Sequence, residues 1–206
     1  MARKASIKLI ETENEFNKMV TKAIADQANR NVPKKIPQIR SKIKPIISAA
    51  LLSSPEILSL KGGLLSAEFG LESDPTSDIV NAILSSLKVQ YFPITGKNLT
   101  GGLRIIMQPA SFENLLSLDI AEQPIEGGSL PWLKWLLTLG DSIIIANFGV
   151  EFGSYSQSRT GEARMSTKFA PYKVNSAFSG TKDDNFITRA VESVQSEITR
   201  ILKGAF

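Results

Sequence analysis

The chain has 206 residues, a net charge of +4, and neither His nor Cys. It therefore lacks the commonest acid–base side chain near neutral pH, thiolate nucleophiles, disulfides and almost every kind of structural zinc site. Asp, Glu, Lys, Tyr and Ser could still form a hydrolase or a magnesium site. We nevertheless predict a structural or assembly protein that is not an enzyme and has no cofactor and no specific metal.

Positive charge is concentrated near the N-terminus. Residues 1–55 contain eleven Lys and Arg against four Asp and Glu, whereas residues 56–206 contain 13 against 16. A run of basic residues can contact nucleic acid or an acidic protein surface, or it can be a solvated helix face. Six basic residues lie between Asp26 and Glu56 without an intervening acid: Arg30, Lys34, Lys35, Arg40, Lys42 and Lys44.

The first 87 residues are predicted to be mostly helical. Thr12 and Glu15 have capping-box spacing. Apolar residues follow at helical spacing, and we predict that this helix ends between Asn29 and Pro33. The apolar set is Phe16, Met19, Val20, Ala23 and Ile24.

Three further helices are predicted before residue 88. One covers about 36–52 and should kink or split at Pro45, which cannot donate a backbone hydrogen bond. A short helix begins after Ser54 as N-cap and ends at Gly62-Gly63. Another begins at Asp74-Pro75.

Strand signals begin at residue 88. Val89–Phe92 and Leu103–Met107 predict two strands joined by a Gly-rich loop. Ser142–Asn147, with three consecutive isoleucines, is the strongest strand signal, and Val150–Phe152 predicts another strand. A short helix is expected from Ser111 to Leu118.

The remaining segments predict a buried helix, a long loop and a closing helix. We expect the buried helix to have Ser129 as N-cap and Gly140 as stop. Residues 153–183 form the long polar loop, and an amphipathic helix covers about 184–203, starting at the acidic pair Asp183-Asp184 and packing on the sheet. The other acidic cluster, residues 11–15, should likewise cap a helix, and the three Gly-Gly pairs should form turns.

Helices followed by strands and a closing helix indicate an α+β fold. The expected sheet is small and antiparallel, with about four strands and packed helices. We divide the chain into a basic helical N-terminal segment, residues 1–54, and an α+β core domain, residues 55–206.

Two features are candidate contact sites. The first lies in the long loop, where arginines could pair with carboxylates of a neighbouring subunit, with phosphates, or with solvent alone. Its residues are Arg159, Thr160, Glu162 and Arg164. The second is the pair Trp132 and Trp135, which could lie in the core or anchor a partner.

Several stretches within about residues 55–206 resemble virion structural proteins of tailed bacteriophages. These stretches are Gly128–Leu137, Gly140-Asp141, Val150–Gly153, Ser158–Gly161, Phe178–Thr181 and Asn185–Ala190. The pattern is also similar to small tail-completion and head–tail joining proteins, in which helices pack against a β-sheet. The resemblance implies a ring, often a hexamer, in the neck or tail, without catalysis.

We therefore expect a tail-terminator, tail-completion or connector ring that contacts copies of itself and neighbouring virion proteins. The protein would be made in the host cytoplasm and incorporated into the virion. No apolar run approaches the roughly 20 residues that span a bilayer, so no membrane contact is expected. The alternatives are a baseplate component, a nucleic-acid-binding protein that uses residues 30–44 on packaged DNA, and a hydrolase that uses Ser and Lys or paired carboxylates.

Overall fold

A computed structural model of the chain describes residues 12–109, 111–125, 128–169 and 171–206. The fold is α+β, as the sequence predicted. The described residues form eight α-helices and three antiparallel two-stranded sheets. None of their helices has by itself the length and hydropathy to cross a bilayer; the bent pair Glu13–Leu52 and Pro55–Gly62, at 61°, meets that threshold only when the two are joined.

Helix α1, Glu13–Leu52, has 40 residues and is therefore about 60 Å long. Its predicted capping box is confirmed: the Thr12 backbone N–H donates to Glu15 Oε2 at 2.9 Å, and the Glu15 N–H donates to Thr12 Oγ1 at 3.4 Å. The predicted end at 29–33 and the predicted break at Pro45 are both wrong, because the helix continues through three prolines.

Tertiary packing explains why the prolines do not end α1. Pro33, Pro37 and Pro45 are all exposed, so carbonyl groups that lose a donor there can be hydrated. The opposite face is held by residues that recur about every four to seven positions and are almost fully buried. These residues are Val32, Ile39, Ile43, Ile47 and Leu51.

The next three helices are α2 (Pro55–Gly62), α3 (Leu64–Phe69) and α4 (Thr76–Ser86). Ser54 caps α2 as predicted, since its Oγ accepts from the Ile57 N–H. Helix α3 was not predicted separately; it starts directly after Gly63 and ends at Gly70, whose φ of +66° suits a residue without a Cβ.

Strands β1 (Lys88–Thr95) and β2 (Thr100–Ile106) form the predicted hairpin. Strands β3 (Gln123–Ile125) and β4 (Gly128–Leu130) form a second hairpin, and β5 (Gly149–Phe152) and β6 (Ala163–Ser166) a third. The predicted single sheet of about four strands is therefore wrong. Helices cover the hairpins instead: α1 packs on β1, and α3 packs on β5 and β6.

Two predictions between residues 111 and 147 also need correction. Helix α5 is shorter than expected, Glu113–Leu116, and its N-cap is Phe112 rather than Ser111. Ser142–Asn147 makes only an isolated bridge, between Ile145 and Tyr172. Strand propensity depends on a neighbouring strand to pair with, and this segment pairs with only that one residue in the described chain.

Helix α6, Trp132–Thr138, starts after Pro131 and not at Ser129, which lies in β4. The stop at Gly140 is in the expected place, with φ +54°. Within the predicted 153–183 loop, Ala163–Ser166 forms strand β6, because it pairs along its whole length with β5.

The predicted closing helix is two helices, α7 (Phe186–Ser193) and α8 (Gln195–Lys203), separated at Val194. Asn185, rather than the preceding aspartates, is the N-cap, and its side chain accepts from the N–H groups of Ile187 and Thr188. Both helices pack mainly on α1 and not on the sheet as predicted, because the hairpins are separate and α1 offers the longest apolar face.

One hydrophobic core joins these elements. The C-terminal half of α1 contributes Ile39, Ile43, Ile47 and Leu51, which pack in the same cluster as residues from α2 to α8. The N-terminal half of α1 instead extends along the β1–β2 hairpin. There Asn29 Oδ1 accepts from the Ile94 N–H at 2.8 Å, which joins this half to the hairpin, and Ala25 and Val32 are also buried.

Candidate functional site

The β5–β6 hairpin carries the predicted contact loop. Its connection is closed by backbone hydrogen bonds from Gly153 to the Glu162 carbonyl at 2.8 Å and from Tyr155 to the Gly161 carbonyl at 2.9 Å. Thr160 Oγ1 accepts from the Glu162 N–H at 3.3 Å within this connection. The loop is therefore a folded turn on a hairpin.

Arg164 lies in β6 and binds its own chain. Its Nε donates to Glu151 Oε2 across the hairpin at 2.9 Å, and its guanidinium lies 4.2 Å from the centre of the Tyr155 ring. The hydrogen bond from Arg164 is the main reason that the pKa of the Glu151 carboxyl is lowered. Half of the Arg164 side chain is still exposed.

Arg159 connects the hairpin to the end of α3. Its Nη1 donates to the Gly70 carbonyl at 3.4 Å, and its Nε lies 3.7 Å from Glu72 Oε1. The structure thus places Arg159 and Arg164 on one hairpin and gives each a partner within the chain. Their role as subunit contacts stays a prediction.

A cavity of about 420 Å³ lies between this hairpin, α3 and α6. Both arginines reach its rim, and its polar lining includes Glu68, Ser158 and Tyr172. Its walls are mostly apolar: Phe69, Ile125, Trp135, Ile145, Val150 and Met165. We call this cavity the Glu68 pocket.

The Glu68 pocket concentrates polar groups without partners. Across the described residues, seven buried side-chain atoms have no hydrogen-bond partner, and three of them line this pocket. These are Glu68 Oε2, Ser158 Oγ and the Tyr172 hydroxyl. Buried polar groups are normally paired, so this clustering marks the pocket as a candidate binding site.

Burial raises the pKa of Glu68 from an ordinary 4.5 to about 7. Burial also raises the pKa of Tyr172, and the neighbouring Glu68 adds to that shift. A carboxyl that titrates near neutrality beside a buried tyrosine is an unusual group to leave in a cavity. Sequence reasoning missed this pair, because nothing in the local pattern around either residue marks it.

Stability should fall as pH rises from 5 to 8. Below about 4.5 Glu68 is protonated in the folded and unfolded states alike, whereas above 7 the folded chain must hold a charged carboxylate in the pocket. Charging Glu68 should lower the free energy of unfolding by about 2 kcal/mol. This is less than the pKa shift alone implies, because the side chain is partly exposed. Chemical denaturation at both pH values measures it.

Glu68→Gln should stabilise the chain at pH 8 and leave its stability at pH 5 unchanged. Glu72→Gln is the matched control, because Glu72 is mostly exposed and its contact with Arg159 is long. A pH dependence that persists unchanged in Glu68→Gln would show that other groups cause it.

The basic residues of α1 do not form one patch. Lys35 Nζ donates to the Ala205 carbonyl at 2.8 Å, and Arg40 Nη2 donates to the Ser85 carbonyl at 3.4 Å. Lys44 is half-buried, whereas Arg30, Lys34 and Lys42 are exposed.

Arg30 and Lys34 lie on the same side of α1 as a stripe of exposed apolar residues that includes Phe16 and Val20. Positions 16, 20, 23, 27, 30 and 34 follow at spacings of three and four, so they share one face, and all six residues are exposed. Phe16 is 50% exposed and Val20 39%, and the flanking Ile24 is 50% exposed. We call residues 16–34 on this side the outer face of α1. It is apolar at its start and cationic at its end.

The two tryptophans have different environments. Trp132 is completely buried and belongs to the core, whereas Trp135 is half-buried and lines the Glu68 pocket. Among the described residues there is no group of three or more His, Cys, Asp or Glu that could hold a metal ion.

Comparisons with protein-family models, with curated protein sequences and with solved structures found no match to this chain. The resemblance to virion proteins therefore stays a prediction from the residue pattern.

Proposed function

We propose that this chain is a structural protein that assembles with copies of itself, head to tail, into a ring. The observation that carries the proposal is that two different parts of the chain expose apolar side chains beside charged ones. Large exposed apolar areas commonly mark surfaces that bind other proteins.

The first surface is the outer face of α1. Two further exposed apolar residues, Leu99 and Phe206, line a groove beside residues 23–35 of α1. An amphipathic helix normally buries such a stripe, and no described residue covers it.

The second surface is the face of the β5–β6 hairpin beside the Glu68 pocket. Val150 and Phe152 alternate along β5 and share a face with Ala163 and Met165 of β6. Val150, Ala163 and Met165 line the pocket, while Phe152 and Met165 are exposed. This face is apolar around an acidic centre, so it complements the apolar and basic outer face of α1.

Two complementary but different surfaces favour a heterologous contact. A two-fold dimer buries the same patch on both partners, whereas a head-to-tail contact repeats around a ring until it closes. Such a ring agrees with the resemblance to tail-terminator, tail-completion and head–tail connector proteins, which supports placement in a phage neck or tail. Detection of the chain at the stoichiometry of a ring in purified particles would test that placement.

The double variant Phe16→Asp/Val20→Asp should abolish self-association. Two carboxylates would be placed in an apolar contact, where an unpaired charge is costly. Both side chains are exposed within one copy, so the free energy of unfolding should change by no more than about 1 kcal/mol. Light scattering on a sizing column measures the assembly state, and circular dichroism the stability.

Asn17→Asp/Thr21→Asp is the matched control. The same charges and the same helix propensity are introduced one residue later, and therefore turned by about 100° away from the outer face. If the control dissociates equally, or if the Phe16/Val20 variant assembles normally, this face is not the contact.

A second candidate function is nucleic-acid binding. The exposure of Arg30, Lys34 and Lys42, with no acid between Asp26 and Glu56, favours it. DNA affinity that falls steeply with salt and is lost in Arg30→Gln/Lys34→Gln would support this function. A baseplate component is the alternative within the virion and would share the assembly surfaces.

A further inference from the structure

We infer that the Glu68 pocket binds a cationic group on an aliphatic stem, an alkylammonium or a guanidinium. A lysine of a neighbouring copy could supply this chemistry, and so could a free alkylamine. The inference rests first on the pocket itself, and only the choice of the neighbouring lysine rests on the proposed function.

The polar end of the pocket presents three oxygen atoms without a hydrogen-bond partner, one of them a carboxylate oxygen without a cation. Glu68 forms no ion pair with any described residue, and its Oε2 has no hydrogen-bond partner. The Tyr172 hydroxyl is nearly fully buried and also lacks a partner, as does Ser158 Oγ. An ammonium group has three donors and could satisfy all three oxygens at once.

The walls suit the stem of such a ligand. Trp135 and Tyr172 lie with ring centroids 6.0 Å apart and tilted by 58°, so a cation beside them would meet aromatic faces. Val150, Ile145 and Met165 provide apolar contact for methylene groups. The cavity of about 420 Å³ leaves room for a lysine-sized side chain.

An anion suits the pocket less well. The two arginines at its rim already bind carboxylates, Arg159 close to Glu72 and Arg164 to Glu151. An anion in the pocket would face Glu68, which has no cation to offset it among the described residues. A cation provides the missing charge and leaves both existing pairs intact.

Lys34 is the residue of a second copy that fits best. It is exposed, and it shares the outer face of α1 with the apolar stripe of Phe16 and Val20. The pocket is surrounded by exposed apolar residues of the hairpin, and no residue of α1 lines it. A copy that docks the cationic end of its outer face at the pocket would therefore bring Lys34 towards Glu68, with the stripe of Phe16 and Val20 more than about 20 Å further along α1.

Calorimetric titration of the full-length Lys34→Gln chain with n-butylammonium tests the pocket, with n-butanol as the neutral control, because Lys34 of a second copy cannot then occupy the pocket. We expect the amine to bind at pH 8 at least about tenfold more tightly than the alcohol, and its affinity to fall about tenfold at pH 6 as Glu68 protonates. The other titratable groups are Tyr172, Arg159 and Arg164, which line the pocket, and Glu72 and Glu151, which pair with the two arginines. None of these residue types ordinarily titrates between pH 6 and 8.

In that chain, Glu68→Gln should remove the pH dependence of amine binding. Tyr172→Phe should weaken amine binding severalfold and keep its pH dependence. Circular dichroism establishes that each variant is folded. Equal binding of amine and alcohol by the Lys34→Gln chain, or amine affinity that does not change with pH in that chain, would overturn the inference.

Zero-length carbodiimide cross-linking distinguishes the two sources of the cation. The reagent activates a carboxylate, and a lysine amine then forms an amide with loss of water. In a mixture of ¹⁴N- and ¹⁵N-labelled chains we expect a mixed Glu68–Lys34 peptide pair, absent in Lys34→Gln and retained in the control Lys42→Gln. If butylammonium binds but no such pair forms, the neighbouring lysine is excluded and a free amine is the ligand. A chain that binds butylammonium yet stays monomeric would contradict the proposed function alone.

Discussion

Replacing Trp132 with alanine should lower the free energy of unfolding by about 4 kcal/mol. The side chain is 0% exposed, its ring centroid lies 5.4 Å from that of Phe69, and its Nε1 donates to the Ile120 carbonyl at 2.8 Å. Truncating a buried aromatic side chain removes apolar contacts and leaves a cavity, which typically costs about 3–5 kcal/mol. Urea denaturation followed by circular dichroism measures the loss.

Trp135→Ala is the internal comparison, because Trp135 lies one turn later on α6 and is only half-buried. We expect a loss about half as large, since much of that ring borders the Glu68 pocket and not packed core. Equal losses at both positions would mean that Trp135 has the same structural role as Trp132, which would contradict its assignment to the pocket.

Arg189→Met should destabilise the chain by about 3 kcal/mol. Arg189 Nη2 lies 2.6 Å from Oε1 of Glu56, which is only 3% exposed, and this pair joins α7 to α2. Removing the guanidinium leaves a buried carboxylate without a cation, a change that typically costs about 3–5 kcal/mol. We place the effect at the low end because the Arg189 side chain is partly exposed. Chemical denaturation at neutral pH measures it.

The double variant Glu56→Gln/Arg189→Met should recover most of that loss, because it no longer buries an unpaired charge. Arg200→Met is the surface control: Arg200 pairs with Glu197 at 3.7 Å and is largely exposed, so its loss should stay below about 0.5 kcal/mol. If the double variant is no more stable than Arg189→Met, the uncompensated carboxylate is not the cause.

Local signals in the sequence determined the starts of α1 and α2 and the first hairpin. Thr12 with Glu15 and Ser54 before Pro55 place their side chains within reach of backbone N–H groups a few residues away, so the caps form as predicted. The pairing of β1 with β2 likewise needs only a short Gly-rich connection. These features depend on neighbours in the chain, which a sequence pattern records directly.

Elements whose stability depends on distant partners were predicted less well. Buried contacts on the opposite face carry α1 through Pro33 and Pro45, whereas the isoleucines after Ser142 find a partner only at Tyr172. For Arg159 and Arg164, the sequence predicted exposed polar side chains but not their partners, Gly70 and Glu151. The Glu68 pocket is the clearest case: Glu68 and Tyr172 are 104 positions apart. Only tertiary packing brings them together in a low-dielectric cavity, and that burial, which no local pattern encodes, raises the pKa of the carboxyl.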